Sequence, residues 1–319
     1  MGKVAIVILN YNGGQLLRDC VESFLGLTYP DYQIIVVDNA STDNSADGLE
    51  ALGGKVAVIR SKDNLGYTGG NNLGMEYALA QGCDYVLLVN NDTLVVKPEF
   101  LSSMVEFAKT REEAGIVGPK VFFRREGVIQ NTICATPFFH RALLNWPLQK
   151  LQLQKTKRSG EIMKEVDVLN GVCILLKGEM LREIGLLDPL IFMYREDTDI
   201  AIRARNAGWK SFYLPVESIV HLQKSEGYEY NSMVNFLLKR NAVYVLYKHG
   251  FVFSALGQGV STLLLSIVRA VKATVRSQGK PYWNFVKVLC KAHWTVITGR
   301  NHNEAFGPPL QSWKNLLKK

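Results

Sequence analysis

The sequence lacks the cysteine pattern of a disulfide-stabilised or zinc-binding protein. Its five cysteines are odd in number and widely separated: Cys20, Cys83, Cys134, Cys173 and Cys290. Structural zinc sites and small secreted disulfide scaffolds need closely or regularly spaced cysteines. The composition therefore favours a reducing compartment, and we predict a cytoplasmic protein.

The sequence also lacks a standard phosphate-binding loop. Its glycine-rich segment 64–72, NLGYTGGNN, is neither GxGxxG nor a Walker loop, because the spacing is wrong and no Lys follows. This disfavours a dehydrogenase. A nucleotidyltransferase would normally have a glycine-rich, basic phosphate loop directly after its first strand. Here the first strand ends in ILNYNGGQ (8–15), and no Lys or Arg follows it before Arg18, which disfavours that class.

Long hydrophobic runs are missing as well. The apolar run 4–9 is too short for a signal peptide. Residues 251–268 come nearest to a membrane span, but Gln258 and several Gly and Ser residues dilute them, and about 20 apolar residues are usually needed. The pattern favours an interfacial or core helix over a span.

Positive charge is concentrated in one region. The chain has 37 Lys and Arg against 29 Asp and Glu, a net charge of +8, whereas the part from His221 onward has 14 against 3, a net charge of +11. Apolar stretches between these cations favour an anionic membrane surface as a partner over nucleic acid. The alternative is a solvated helical face.

The first 120 residues alternate between short apolar runs and helical patterns. The predicted strands are 3–9, 33–37, 55–59 and 85–89, and the predicted helices are 16–25 and 69–80. This alternation is typical of an α/β protein with a parallel sheet and crossover helices. A hydrophobic content of 47% is ample for its core.

The remaining sequence predicts an insert, a second ordered part and a helical extension. Residues 121–165 break the rhythm, and irregular inserts of that length are usually functional or mobile. Order resumes at 166–176, followed by helices at 179–184 and 196–207. Beyond His221 the pattern is helical, over 233–249, 251–272 and 283–294. The predicted domains are 1–225 and 226–319.

Polar side chains follow each predicted strand of the first half. They are Asn10, Asp38, Arg60 with Asn64, and Asp92 with its neighbour Asn91. Parallel strands end at one edge of the sheet, where such folds bind ligands. Asp38 is suited to accept a hydrogen bond from a base N–H or to cap a turn. The glycine-rich loop, including Gly70 and Asn72, would approach a phosphate or ribose, or form a simple turn.

Together these segments resemble the family 2 glycosyltransferases with the GT-A fold, in particular their rhamnosyltransferase-like branch. The matching segments are ILNYN (8–12), VVDNASTDNS (36–45), NLGYTGGNN (64–72), NNDT (90–93) and YREDTDIAIRARNAGW (194–209). The resemblance covers about residues 3–225. It implies an inverting enzyme with a Rossmann-like, mostly parallel sheet, a UDP- or dTDP-sugar donor and a divalent metal, Mn²⁺ or Mg²⁺.

The resemblance also implies individual roles. Asp38 corresponds to the acid that reads the base, and Asp92 to the surviving acid of the DxD metal motif, whose first acid is Asn90 here. His221 corresponds to a histidine that completes the metal shell. The donor site would comprise Asn10, Asp38, Arg60, Asn64, Gly70, Asn72, Asn91 and Asp92.

An acidic cluster supplies the predicted catalytic residues. The Glu196–Asp197 pair resembles the family's ED motif, with Asp197 as the base and Glu196 orienting the acceptor. Three acids, including Asp199, would also be favoured by the dipole at a helix start. A catalytically inactive nucleotide-sugar-binding scaffold is the alternative function.

The family resemblance extends to partners and location. Processive synthases of this superfamily carry a QxxRW motif and several spans, which are not found here. We therefore expect transfer of a single sugar to a hydroxyl of a glycan acceptor, held on a lipid, in polysaccharide or O-antigen synthesis. The basic helices would hold the enzyme at the inner face of the cell membrane; the alternatives are a helical cap that packs on the catalytic domain and the interface of a homo-oligomer.

Overall fold

The computed structural model describes residues 2–123, 133–134, 162–222, 233–275 and 279–298. Most of the insert predicted at 121–165 lies outside these residues. The chain forms two compact units, the first holding the strands and their flanking helices, and the second holding Pro189–Glu196 with the C-terminal helices. The segment Pro189–Glu196 thus groups with the C-terminal helices, whereas the predicted domain 1–225 includes it.

The first unit contains strands β1 to β11 and most of the helices. In chain order they are β1 (Val4–Asn10), α1 (Gln15–Leu25), β2 (Tyr32–Asp38), β3 (Val56–Arg60), α2 (Gly66–Ala80), β4 (Tyr85–Asn90), β5 (Thr93–Val95), α3 (Phe100–Thr110), β6 (Ala114–Phe123), β7 (Ile133–Cys134), β8 (Lys164–Val166), β9 (Val168–Leu169), β10 (Cys173–Lys177), α4 (Gly178–Ile184), α5 (Glu196–Asn206) and β11 (Lys210–His221).

The main sheet is parallel on one side and mixed on the other. Its order among the described strands is β3-β2-β1-β4-β10-β6-β11-β5, with β8 also paired to β11. Strand β1 pairs in parallel with β2 and β4, and β2 with β3. Strand β10 runs antiparallel to β4 and β6. The predicted α/β GT-A architecture is confirmed.

Strand β1 is buried on both faces because helices cover both sides of the sheet. Ile6 and Ile8 pack in one apolar core with Leu17 and Phe24 of α1, whereas Val7 packs in the other. That second core contains Met75 and Ala78 of α2. A continuous apolar run such as VAIVIL is typical of a parallel strand buried in this way.

The sequence prediction missed three elements between Asp92 and the insert, namely β5, α3 and β6. It also treated residues 166–176 as one stretch, where the structure has the end of β8, then β9 and β10. The strands among these elements are short or pair with residues distant in sequence, so local periodicity carries little signal for them.

The second unit contains the helices α6 (Met233–Lys248), α7 (Val252–Val275) and α8 (Gly279–Thr298). Phe236 and Leu237 of α6 pack with Phe285 and Leu289 of α8, and α7 packs on both other helices. Among the described residues, helix α7 is long and apolar enough to cross a membrane, judged by length and composition alone, with a mean hydropathy of 1.4.

Gly74 offers a test of the close packing of α2 on the sheet. A Cβ at this position would lie 2.4 Å from Cγ1 of Val7 and 3.0 Å from Cγ2 of Val37. Overpacking of this kind costs about 1–3 kcal/mol. We expect Gly74→Val to lower the free energy of unfolding by about that amount in urea denaturation. Gly54→Val is the control, since no heavy atom lies within 4 Å of its Cβ position; equal stability of the two variants would contradict the packing.

Candidate active site

Strand register aligns the polar residues at the carboxyl edge of the sheet. Asn10 lies opposite Asp38, and Asp38 lies opposite Arg60. On the other side of β1, Leu9 lies opposite Asn90, so Asn91 and Asp92 follow directly beyond the same edge. Parallel pairing thus brings together the residues that the sequence placed at separate strand ends.

Asn10 connects the two halves of this edge. Its side chain is fully buried, and Nδ2 donates to Oδ1 of Asp38 at 3.4 Å and to the hydroxyls of Ser41 and Ser45 at 3.0 and 2.8 Å. Its Oδ1 accepts from Nδ2 of Asn91 at 3.0 Å. Asn10 therefore fixes the Asp38 carboxylate and the turn before Asp92 relative to each other.

The turn that presents Asp92 is closed by a buried hydroxyl. Oγ1 of Thr93 donates to the carbonyl of Asn90 at 2.9 Å, and the Cys20 thiol lies 3.6 Å from that hydroxyl. Burial raises the pKa of Cys20 to about 12, so this thiol stays neutral at physiological pH. A neutral thiol is a poor nucleophile, and we assign Cys20 to packing under the turn.

Asp92 and His221 meet through an antiparallel pairing. Strand β11 ends at His221, opposite Thr93 of β5, and the backbone N–H of Leu222 donates to the carbonyl of Asp92 at 2.7 Å. Nε2 of His221 lies 3.1 Å from Oδ1 of Asp92, with side chains 5% and 24% exposed. The structure therefore brings together the two residues that the family resemblance predicts to be metal ligands.

The chemistry of this pair fits a divalent cation shared with a substrate. No group of three or more His, Cys, Asp or Glu side chains that could hold a metal occurs among the described residues; at this position they supply the Asp92 carboxylate and the His221 imidazole. Two neighbouring ligands about 2.1 Å from an octahedral cation lie roughly 3 Å apart, close to the observed separation. Cations that act on phosphates usually take their remaining ligands from the phosphates and water.

The acidic pair opens helix α5. Glu196 is the first residue of α5 and is 9% exposed. Asp197 is half-buried, and its Oδ1 accepts hydrogen bonds from the backbone N–H and the hydroxyl of Thr198, at 2.6 and 3.2 Å. The Asp197 carboxylate is therefore held in one orientation at the start of the helix.

Asp199 has a structural role instead. Its Oδ2 accepts from Nε of Arg203 at 2.9 Å, and this carboxylate is fully buried. The other guanidinium nitrogens of Arg203 donate to the carbonyls of Ile184, Gly185 and Leu186. This pair fixes the loop after α4.

Two further residues of the predicted donor site bond to local protein groups. Arg60 pairs with Glu50 at 3.0 Å and with Asp47 at 3.4 Å, and its side chain is 46% exposed. Oδ1 of Asn64 accepts from Nδ2 of Asn39 and from the backbone N–H of Gly66. Both lie at the predicted edge, and their contact with a donor stays a prediction.

Gly70 and Asn72 of the predicted donor site make close contacts within the protein. A Cβ on Gly70 would lie 2.3 Å from Cδ1 of Leu9, so its lack of a side chain serves the contact of α2 with β1. The amide of Asn72 donates to the carbonyl of Leu187 at 2.9 Å and accepts from its N–H at 3.0 Å. These contacts engage the Asn72 amide within the protein, and its contact with a donor stays a prediction.

Sequence reasoning missed the residues that hold the edge together. Asn39 is buried and bridges the end of β2 to the glycine-rich loop, while Ser41, Ser45 and Thr93 fix Asn10 and the turn before Asp92. The signal for them was weak, because Ser, Thr and Asn after a strand are common turn residues.

The fold and this edge define a glycosyltransferase of the GT-A class. The family model described as glycosyl transferase family 2 matches residues 5–185. The chain belongs to this family, and it is a transferase enzyme.

Known relatives and solved structures agree with this class. The chain is 29% identical over 235 residues to the uncharacterized protein y4gI of Sinorhizobium fredii, covering 71% of this chain but only 25% of that protein. It is 24% identical to the N-acetylglucosaminyl-diphospho-decaprenol L-rhamnosyltransferase of Mycobacterium tuberculosis, covering 68% of this chain and 75% of the relative. The mannosyltransferase PcManGT of Pyrobaculum calidifontis, solved with GDP-Man and Mn²⁺, superposes with a TM-score of 0.57 at 16% identity, covering 94% of this chain and 88% of that one.

Proposed function

We propose that this chain is an inverting, non-processive glycosyltransferase that moves a sugar from a UDP- or dTDP-sugar to a hydroxyl of a lipid-linked glycan. The observation that carries the proposal is the Asp92–His221 pair, 3.1 Å apart, beyond the same sheet edge at which Asn10 fixes Asp38. A base-reading acid and a metal-binding pair at one edge are what a nucleotide-sugar donor requires.

Asp38 is suited to recognise the base. Its Oδ1 accepts from Asn10 and from the backbone N–H of Ser41 at 3.3 Å, so the carboxylate has a fixed direction. An ionised carboxylate only accepts hydrogen bonds. It therefore matches the ring N–H that uracil and thymine share.

Asp92 and His221 would hold a divalent cation, Mn²⁺ or Mg²⁺, against the diphosphate. A bound cation would neutralise charge on the diphosphate leaving group. Imidazole is a more usual ligand of Mn²⁺ than of Mg²⁺, and PcManGT was solved with Mn²⁺. With Asn90 in place of a second acid, the protein supplies less negative charge, so we expect modest metal affinity in the absence of donor.

Asp197 would act as the base. The acceptor hydroxyl gives its proton to this carboxylate as its oxygen bonds to the anomeric carbon, and the bond from that carbon to the diphosphate oxygen breaks. Attack from the face opposite the diphosphate inverts the configuration. Glu196, next to Asp197 at the start of α5, would orient the acceptor.

The metal assignment predicts a loss of donor binding. Asp92→Asn keeps the size of the side chain but removes its charge, and we expect at least about tenfold weaker binding of the donor nucleotide in the presence of Mn²⁺. Isothermal titration calorimetry with UDP and dTDP measures this. The control is Glu99→Gln, which makes the same change at an exposed acid. Equal affinity of the two variants, or full transfer activity in excess chelator, would refute the metal role.

The base assignment predicts a loss of turnover with binding retained. Asp197→Asn should lower kcat by about 10²–10⁴-fold, the usual contribution of a positioned base, while the affinity for the donor nucleotide stays within about twofold. Glu112→Gln, at an exposed acid, is the control. Normal turnover by Asp197→Asn would exclude it as the base. If the wild-type chain binds donors but transfers no sugar to any acceptor tested, the scaffold alternative gains support.

Helix α7 supports a membrane location because it buries small residues and exposes large apolar ones, the opposite of a helix in a water-soluble protein. Its buried residues are small: Ala255, Gly259, Thr262, Ser266, Ala270 and Ala273. Its large apolar residues are exposed, and they include Phe253, Leu256, Val260, Leu264, Val268, Val271 and Val275. Small residues where helices meet and large ones outside are typical of helices in contact with lipid.

Charge and aromatic residues favour an anionic membrane as the occupant of this face. Arg269 and Lys272 are exposed on α7, and Lys287, Lys291 and Trp294 are exposed on α8. Cations attract anionic lipids, and Trp suits the interface between headgroups and acyl chains. The relative from Mycobacterium tuberculosis is named for a decaprenol-linked acceptor, a substrate that itself resides in a membrane.

The membrane assignment predicts loss of vesicle binding when charge enters the apolar face. We expect the full chain to float with phosphatidylglycerol–phosphatidylcholine vesicles, and the double variant Leu264→Glu, Val268→Glu to remain with the soluble fraction. The control double variant, Gln81→Glu with Thr110→Glu, adds the same charge at exposed positions of the first unit. Equal flotation of both variants would refute the proposal. A second outcome would also refute it: the wild-type chain does not float, sediments as a dimer, and loses that dimer in the Leu264→Glu, Val268→Glu variant but not in the control variant.

A further inference from the structure

The backbone just before the acidic pair adopts a conformation that its side chains disfavour. Tyr194 has φ of 72° and Arg195 has φ of 77°. Residues with a Cβ rarely occupy this left-handed region, and such residues persist where the surrounding structure holds them. Two of them in succession lead directly into Glu196 and α5, so something must fix this turn.

Asn241 of helix α6 holds the turn. Its side chain is fully buried, and Nδ2 donates to the carbonyl of Met193 at 2.8 Å and to the carbonyl of Tyr194 at 2.7 Å. These two carbonyls lie on either side of the left-handed Tyr194. Both N–H groups of one amide are thus used to fix the conformation of the strained residue.

Arg240 sets the orientation of that amide. Its Nη1 donates to Oδ1 of Asn241 and, at 2.8 Å, to the carbonyl of Leu190. Because Oδ1 accepts from Arg240, the nitrogen of the Asn241 amide faces the turn. An Asp at this position would keep the acceptor but would lack both donors.

Apolar packing holds the same segment against the helices. Phe192, Met193 and Tyr194 pack against a core formed by Phe236, Leu237, Phe285, Leu289 and Ala292. The segment Pro189–Glu196 accordingly belongs to the helical unit. Hydrogen bonds from α6 and apolar contacts together fix the chain that enters α5.

We propose that Asn241 is a positioning residue for the Glu196–Asp197 pair. By fixing the carbonyls of Met193 and Tyr194, it sets the path of the backbone into the first turn of α5. The inference rests on the proposed function, in which Asp197 is the base. Displacement of a catalytic group by about 1 Å can lower the rate by about 10²-fold, so kcat is the sensitive quantity.

The test separates positioning from stability. Asn241→Ala and Asn241→Asp both remove the two donors, and we expect kcat to fall by roughly 10–100-fold, with the affinity for UDP or dTDP unchanged. Val243→Ala is the matched control: Val243 is a buried residue of the same helix, and its Cγ2 lies 3.9 Å from the Cβ position of Gly259 in α7. Because Val243→Ala removes buried apolar packing but neither hydrogen bond to the turn, it should lower the melting temperature with little effect on kcat.

The outcomes distinguish the inference from the function on which it rests. If Asp197→Asn is inactive while both Asn241 variants retain the kcat of Val243→Ala, the positioning role is refuted and the proposed base stands. If Asp197→Asn turns over normally, the proposed base is wrong. In the double variant Asn241→Ala, Asp197→Asn, kcat should fall no further than in Asp197→Asn alone, since the two residues act on one step; independent losses would contradict positioning.

Discussion

The parallel pairing of β1 with β2 and β4 is the constraint on which the candidate site depends. Because β1 is apolar on both faces, alternation of polar and apolar residues does not fix its register. The polar strand ends do so instead: Asn10 lies opposite Asp38 and hydrogen bonds to both Asp38 and Asn91. A slip by one residue would remove Asn10 from this position and separate Asp38 from the turn that carries Asp92.

A second long-range pairing completes the edge. The antiparallel contact between β5 and β11 places His221 against Asp92, although many elements separate them along the chain. The two pairings differ in kind: the parallel one aligns residues at the ends of consecutive strands, and the antiparallel one adds a residue from a distant strand. Under our proposed function, the first pairing would serve the base of the donor and the second its diphosphate.

The C-terminal helices combine two roles under our proposals. On α6, a buried amide faces a strained turn and fixes the chain that carries the acidic pair. On α7, small residues face the other helices, and large apolar residues are exposed. A helical extension of this kind would orient a catalytic segment and also bring the enzyme to a lipid-linked acceptor.

The sequence by itself determined the first four strands, the helices α1 and α2, the polar strand ends and the family, because each rests on local periodicity or on short motifs. Only the tertiary structure decided which of those residues meet. It brought Asp92 to His221 and Asn10 to Asp38, placed Gly70 against Leu9, engaged Asn72 in hydrogen bonds to Leu187, and revealed β5, β6 and the antiparallel β10. Arg240 and Asn241 were not distinguishable from other polar residues of a basic helix, since a buried hydrogen bond depends on a partner that local sequence does not name.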